Sequence, residues 1–460
     1  MNALGRFSLQ YRSRYAAEEI QLAADLFPSG QAPVDYVLAI PASAEEPNLV
    51  DGYRAAVRRI ARAEGARKSV LVLVVVNGRA DADDSVFQRN RRCFDGLRES
   101  FVLKEVAHGA WRGADSDVQM IVIDRYTEGR RLPADQGVGL ARKVGADLAL
   151  ELIVREQVRA PFIAMSDADA TLPEDYFERI AALGADCSAA MFPFWHAPSG
   201  DMEVDRATAV YEIRLRYHAR GLRWAESPYA FQTMGSTLVV SAKSYAAVRG
   251  MPQRQAGEDF YFLDKLSKIR PLARLSGDPV VLRSRLSDRV PFGTGAATNK
   301  LLKEPTLELY SPRCFEVVRE VNRALVALAQ TGKPSKDSEP EAGSQSLDSI
   351  WDGLGEHPRA FLMAQGAREA WRRIGQQAPN SESYLRRLRE WFDGFRTLKL
   401  IHHVRDNGSS NLSMPIAIEQ APFMDPVPDD GGLLLDVRGS LLAEEQSCPR
   451  LMGPACALLD

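Results

Sequence analysis

Asp167 and Asp169 stand at the end of the short apolar run Phe162-Ile163-Ala164-Met165-Ser166. Side chains two apart on an extended strand point the same way, so the two carboxylates can converge on one ligand. Two like charges held close need a cation between them, or one must stay protonated. A hard divalent ion with oxygen ligands, shared with a diphosphate, is the simplest solution. Asp-x-Asp pairs also occur in ordinary solvated turns, so the other polar residues have to decide between the readings. Thr171-Leu172-Pro173-Glu174 reads as a capping box with a proline in the first turn, which predicts a helix starting there.

A second acidic pair, Glu258-Asp259, follows Gly257 at a predicted helix start. One of these carboxylates can take a proton from an acceptor hydroxyl; the plainer alternative is that acids favour the positive end of a helix dipole. Arg285 and Arg289 precede Gly293-Thr294-Gly295. Glycine gives a loop mobility and guanidinium forks suit phosphate, so a flap meeting a diphosphate is expected, with a surface loop of salt bridges as the alternative. Gly137-Val138-Gly139-Leu140-Ala141-Arg142 begins like a dinucleotide fingerprint, but Arg142 takes the place of the closing Gly or Ala. His196 and His218 match no metal-ligand spacing and read as structural. Trp195, Trp224 and Tyr229 suit either a sugar face or a core. Arg214, Arg216, Arg220 and Arg223 cluster on one predicted helix, and a solvated face is the reading preferred over an anionic acceptor site.

These residues need a scaffold. Strands are expected at 34–41, 70–76, 118–123 and 162–165, with helices at 49–64 and 134–157 between them. Such alternation predicts an α/β fold with a parallel sheet and a crevice at the carboxyl ends of the strands. Glu45, Asn77 and the Asp pair all fall just beyond predicted strand ends. Further strands are expected at 189–195, 236–240 and 279–283, and helices at 205–219 and 257–269. The expected layout is an N-terminal extension (1–30), carrying one modest helix at 15–26, then a catalytic domain (31–303), a C-terminal helical region (304–410) and an irregular or disordered tail (411–460).

Composition excludes some classes. Of 460 residues, 45% are hydrophobic and 26% charged, ordinary values for a chain with a sizeable core. A formal net charge of -3 gives no electrostatic case for nucleic acid or an anionic membrane surface. Five widely spaced cysteines fit a reducing compartment, and residues 1–21 carry charges with no apolar segment, so a cytoplasmic protein without a transmembrane segment is expected.

In the order of its motifs, 34–297 resembles glycosyltransferase family 2, nucleotide-sugar enzymes with the A-type glycosyltransferase (GT-A) fold. Pro41 with Glu45 matches the proline-ended first strand and the glutamate after it. Asn77 takes the place of a nucleobase-holding acid, an amide where the family has a carboxylate. Gly137 to Gly145, including Arg142, resembles the family's Gly- and Arg-containing helix. The resemblance implies a Rossmann-like mixed sheet with flanking helices and a divalent metal, Mn²⁺ or Mg²⁺. It implies that Asp169 binds the metal and that Asp167 supports metal or ribose. Asp259 would be the base, with Glu258 beside it. The expected partners are a nucleoside-diphosphate sugar and a hydroxyl acceptor, whether glycan, lipid-linked or small molecule. Beside Asn77, the family pattern departs at a second point: no histidine lies between Asp259 and Ala297, where some relatives carry a metal ligand. The alternatives are a lapsed transferase that binds nucleotide or sugar without turnover, and a sugar nucleotidyltransferase. The latter needs a Gly-rich loop after the first strand, where Pro41-Ala42-Ser43-Ala44-Glu45 stands.

Overall fold

The computed structural model describes residues 3–28, 30–62, 68–254, 257–285, 294–303, 307–331, 347–425 and 433–454. The chain forms two compact units. The first comprises Met1–Thr208, Thr233–Lys303 and Leu442–Arg450; the second comprises Ala209–Gln232, Glu304–Leu441 and Leu451–Asp460. The second unit thus takes in a stretch, Ala209–Gln232, that the sequence reading left inside 31–303.

The first unit is built on β1 (Tyr36–Ala42), β2 (Val70–Asn77), β3 (Lys104–Ala107), β4 (Ala110–Ala114), β5 (Gln119–Arg125), β6 (Phe162–Met165), β7 (Ala189–Met191), β8 (Phe194–Ala197), β9 (Leu238–Ser241), β10 (Leu272–Arg274) and β11 (Val280–Arg283). With β14 (Arg450–Met452), reached after the short β12 (Glu308–Leu309) and β13 (Leu412–Ser413), they give a ten-stranded sheet of order β14-β10-β7-β9-β6-β1-β2-β5-β4-β3; β8 and β11 pair separately. The centre is parallel: β1 pairs with β2 and β6, and β2 with β5. β9 runs antiparallel to both β6 and β7, and the β3–β4 hairpin adds an antiparallel edge, so the sheet is mixed.

Every residue of β1 and β2 is buried. A valine withdrawn from water on both faces of a sheet contributes about 1.5–3 kcal/mol, so the Val-rich β2 anchors the core. Pro41 is tolerated in this central strand because of where its missing N–H would point. Tyr36 turns its N–H toward β2, to Ser69, so by alternation residue 41 faces β6, where pairing has already ended at Ala39–Met165.

The helix Val138–Val154 is buried at every position from Gly139 to Ile153. The i+4 spacing of Leu140, Val144, Leu148 and Leu152 predicts a one-sided helix, yet charged Arg142, Lys143, Asp147 and Glu151 are buried too. The N-terminal residues cover its other side. A helix at Ala3–Arg14, followed by short turns at Glu18–Leu22 and Ala23–Leu26, replaces the single helix expected at 15–26. Tyr11 and Tyr245 donate to Asp147, Lys143 pairs with it, and Arg12 pairs with Glu151. These bonds satisfy groups that would otherwise be buried bare.

The second unit is helical, with helices Pro312–Gln330, Glu356–Ala364, Ala367–Gln377, Ser381–Trp391 and Gly394–Asp406, and β12 pairs with β13. Glu212 is fully buried there and accepts from Arg216 (2.8 Å) and from Arg438 (2.7 and 2.9 Å). The tail expected to be irregular instead carries helices Met414–Gln420 and Leu433–Ser447 and the edge strand β14. Met414, Ala417 and Ile418 form the buried face of the first, and the buried face of the second mixes Val437 and Leu441 with charged Arg438 and Glu445, which blurs its apolar period. Among the described residues no helix is long and apolar enough to cross a membrane.

Candidate active site

The Asp loop is determined from several sides. After β6, Ser166 gives its N–H to Ala39 (3.2 Å) and its hydroxyl to the Ser236 carbonyl (2.9 Å). The Asp167 carbonyl accepts from Ala170 N–H (3.0 Å) and from the Tyr53 hydroxyl (2.6 Å). Thr171 bonds Val281 of β11 in both directions, at 2.7 and 2.9 Å. That pairing outcompetes the expected capping box, and the next helix begins only at Tyr176, with no side-chain cap. Leu172 donates to Gly52 (2.9 Å), and a Cβ on Gly52 would lie 2.2 Å from the Ala170 carbonyl oxygen. The loop therefore lies against the start of the helix Asp51–Arg62, where only glycine leaves room.

Two arginines organise the acids. Arg142 is buried and donates to Asp167 Oδ1 (2.6 Å), Glu258 Oε1 (3.2 Å) and the Gly235 carbonyl (3.1 Å). Burial alone would lower its pKa, but the charges of Asp167, Glu258 and Asp259 outweigh that and hold it above the ordinary value. Arg285, just beyond β11, forks onto Glu45 at 3.0 and 3.1 Å, and its Nε lies 2.8 Å from Asp169 Oδ2. Its pKa is likewise raised: burial opposes the charge, and Asp169 with Glu45 more than offset it. Glu45 and Asp169, separated by 124 positions in sequence, are thus clamped by one guanidinium.

Glu45 is aimed by a strained residue. Ala44 has φ 54, a left-handed conformation rare without glycine. Its N–H donates to Asn90 Oδ1 (2.6 Å), and Arg89 donates to its carbonyl. Asn90 also donates to the Asn77 carbonyl (2.8 Å). The Asn77 side-chain amide is buried and gives both hydrogens to backbone carbonyls, of Ala42 and Val75, each at 3.1 Å. Its Nδ2 holds the ends of β1 and β2 together, and this part of the amide is already committed.

Gly257, at φ 71, turns the chain into the helix Glu258–Ser267. Asp259 is half-buried and accepts from the Phe260 N–H (2.8 Å). Burial first, and the Glu258 charge second, push its carboxyl up to about 7, against the pull of that N–H and of Arg142. The Tyr53 hydroxyl is raised well above its usual range by burial and then by the charges of Asp169, Asp167 and Glu45. An excess of negative charge is concentrated here.

Named contacts thus join Asp167 and Glu258 through Arg142, and Glu45 and Asp169 through Arg285, while Asp259 feels the charges of Glu258, Arg142 and Asp167. Pro41 and Asn77 sit beneath them as framework, and Arg289 falls outside the described residues. The oxygen donors suit Mg²⁺ or Mn²⁺, but among the described residues no three His, Cys, Asp or Glu side chains form a chelating group. An ion here fits only in the manner of a substrate-supported Mg²⁺, held by one or two carboxylates with phosphate and water completing the shell.

His196 is buried within β8. His218 belongs to the second unit, where burial, then His402, lowers it to about 4. Trp224 and Tyr229 also lie in that unit; Arg319 covers the Trp224 ring, and the Tyr229 hydroxyl donates to the Arg389 carbonyl. Of the four arginines read as a solvated face, Arg216 is buried in the Glu212 pair, Arg214 donates to the Glu308 carbonyl and Arg220 reaches Asp425. Sequence reasoning missed Tyr53, Ala44, Asn90 and Gly235. Asn90 carried a signal, since it falls on the buried stripe of its helix with Cys93, Phe94 and Leu97. The sequence matches no protein-family model and no curated protein.

Proposed function

We propose that the chain is a metal-dependent glycosyltransferase of the family 2 type, moving a sugar from a nucleoside diphosphate to an acceptor hydroxyl. One observation carries this reading: Arg142 ties Asp167 of the strand-end pair to Glu258 of the helix-start pair, beside an Asp259 whose pKa is raised to about 7. A donor side and a base side in one site are what glycosyl transfer to a hydroxyl requires.

On this reading Asp169 and Asp167 face the diphosphate, and Arg285 exchanges Asp169 for phosphate oxygens when the donor enters. A bound Mn²⁺ or Mg²⁺ supplies positive charge against the leaving diphosphate. Asp259 takes the acceptor proton, and a base with a pKa near the working pH is well matched to that task. Arg142 holds Glu258 and Asp167 at fixed separation and keeps the acidic cluster from expanding.

One feature favours the binding-protein alternative: Asp169 is already ion-paired with Arg285. Asp259→Asn separates the two, because Asn still accepts the Phe260 N–H but cannot act as a base. The proposal predicts that product release from nucleotide-sugar and acceptor falls by about 10²–10⁴-fold while donor binding persists. A wild-type chain that binds nucleotide-sugar yet releases no diphosphate in the presence of acceptors contradicts catalysis.

A further inference from the structure

Arg389, on the helix Ser381–Trp391 of the second unit, is 5% exposed, and its Nε and Nη1 are buried with no hydrogen-bond partner among the described residues. An arginine side chain cannot shed its charge to ease burial. A buried cation without a counter-ion is among the costliest arrangements in a folded chain. Across the bundle, Glu226, with a left-handed backbone at φ 59, accepts from Arg319 (3.2 Å) and from Arg323 (3.1 and 3.0 Å). Its charge acts on Arg389 from beyond ion-pair distance, and burial lowers the Arg389 pKa more than Glu226 restores it. The loop that carries Glu226 is fixed in place by Asn322, which donates to the Ala225 carbonyl (2.8 Å), and by Tyr229, which donates to the Arg389 carbonyl (3.0 Å). Arg319 and Arg323 thus share the Glu226 carboxylate, whose charge also reaches Arg389, so among these groups three guanidiniums answer to one carboxylate, a charge excess of two.

We propose that this cluster is a phosphate site: Arg389, with Arg319 and Arg323, takes a phosphate dianion or a phosphate monoester. A phosphate carries about -1.5 to -2 at neutral pH and offers several acceptor oxygens, matching both the charge excess and the unused guanidinium donors. Water would satisfy the N–H groups but leave the charge uncompensated. This site is independent of the acidic cluster of the first unit.

The test is thermal unfolding of the full chain at matched ionic strength, with inorganic phosphate, a phosphate monoester such as glycerol phosphate, or acetate added. Phosphate at ten times its dissociation constant multiplies the folding constant of the wild type about elevenfold. Arg389→Met should not respond, and in phosphate-free buffer it should melt at or above the wild type, because an uncompensated buried charge has been removed. Asp169→Ala should keep the full response. A larger shift with the monoester than with free phosphate assigns the site to a phosphorylated small molecule, and the reverse assigns it to free phosphate. Should Arg389→Met not fold, Arg323→Gln, whose side chain is largely exposed, must weaken the phosphate response. A wild type that ignores phosphate, a response equal to that with acetate, or one undiminished in these variants overturns the proposal.

Discussion

Asp259 and Arg142 set the chemistry at the scale of single residues. The Asp259 carboxyl, raised to about 7 by burial and Glu258, is protonated below that pH and becomes a base above it. The pH profile of kcat/KM should therefore rise through about 7 and lose this limb in Asp259→Asn. Stability moves the other way. The folded group holds its proton at pH values where the unfolded one, near the ordinary aspartate value of 3.8, has lost it. Folding thus becomes less favourable as pH rises from about 4 to about 7. Asp259→Asn escapes this loss, so its urea midpoint should exceed that of the wild type at pH 8, with the gap closing as pH falls. Arg142 is different in kind. It is buried and bridges two carboxylates and a carbonyl, so Arg142→Met leaves Asp167 and Glu258 without their cation. Breaking such a pair costs about 3–5 kcal/mol, and urea unfolding should record a loss of that order.

Elements place these residues, and some of the placement was legible in the sequence. The four-residue strand Phe162–Met165, the all-buried β2 and the helix opening at Glu258 follow from apolar runs and one glycine. The residues that tune the site did not show in any local pattern. Tyr53 reads as one more apolar position of its helix, and nothing local shows that its hydroxyl supports the Asp167 carbonyl. The β3–β4 hairpin, at 104–114, has exposed and half-buried residues with no apolar run to mark it. Thr171 carried a capping signal that a tertiary bridge to Val281 overrode. Gly52 shows the same point by subtraction. A methyl there would meet the Ala170 carbonyl oxygen at 2.2 Å, so Gly52→Ala must push the Asp loop away. Overpacking of this kind costs about 1–3 kcal/mol. The expected result is a modest fall in the urea midpoint together with a disproportionate loss of donor affinity, measured by titration calorimetry.

For the whole molecule, the parallel centre of the α/β sheet follows from strand–helix alternation, whereas the antiparallel β9 and the β3–β4 edge that make it mixed do not. Nor does the tail, because the buried face of its longer helix includes charged Arg438 and Glu445, and Arg438 answers to Glu212, far away in sequence. The N-terminal residues were equally opaque. Their tyrosine and arginine bond the far side of the helix that carries Arg142, and no spacing rule foretells that. The central claim rests on the acidic strand end, and a thermal-shift panel tests it most directly. UDP, GDP, CDP, ADP and dTDP are each added with and without Mn²⁺ to the wild type and to Asp169→Ala. The account predicts a rise in melting temperature for one nucleotide, dependent on Mn²⁺ and absent in Asp169→Ala, equivalent to about 2.7 kcal/mol at a hundredfold excess over its dissociation constant. No shift with any nucleotide, or a shift that Asp169→Ala retains in full, would contradict it.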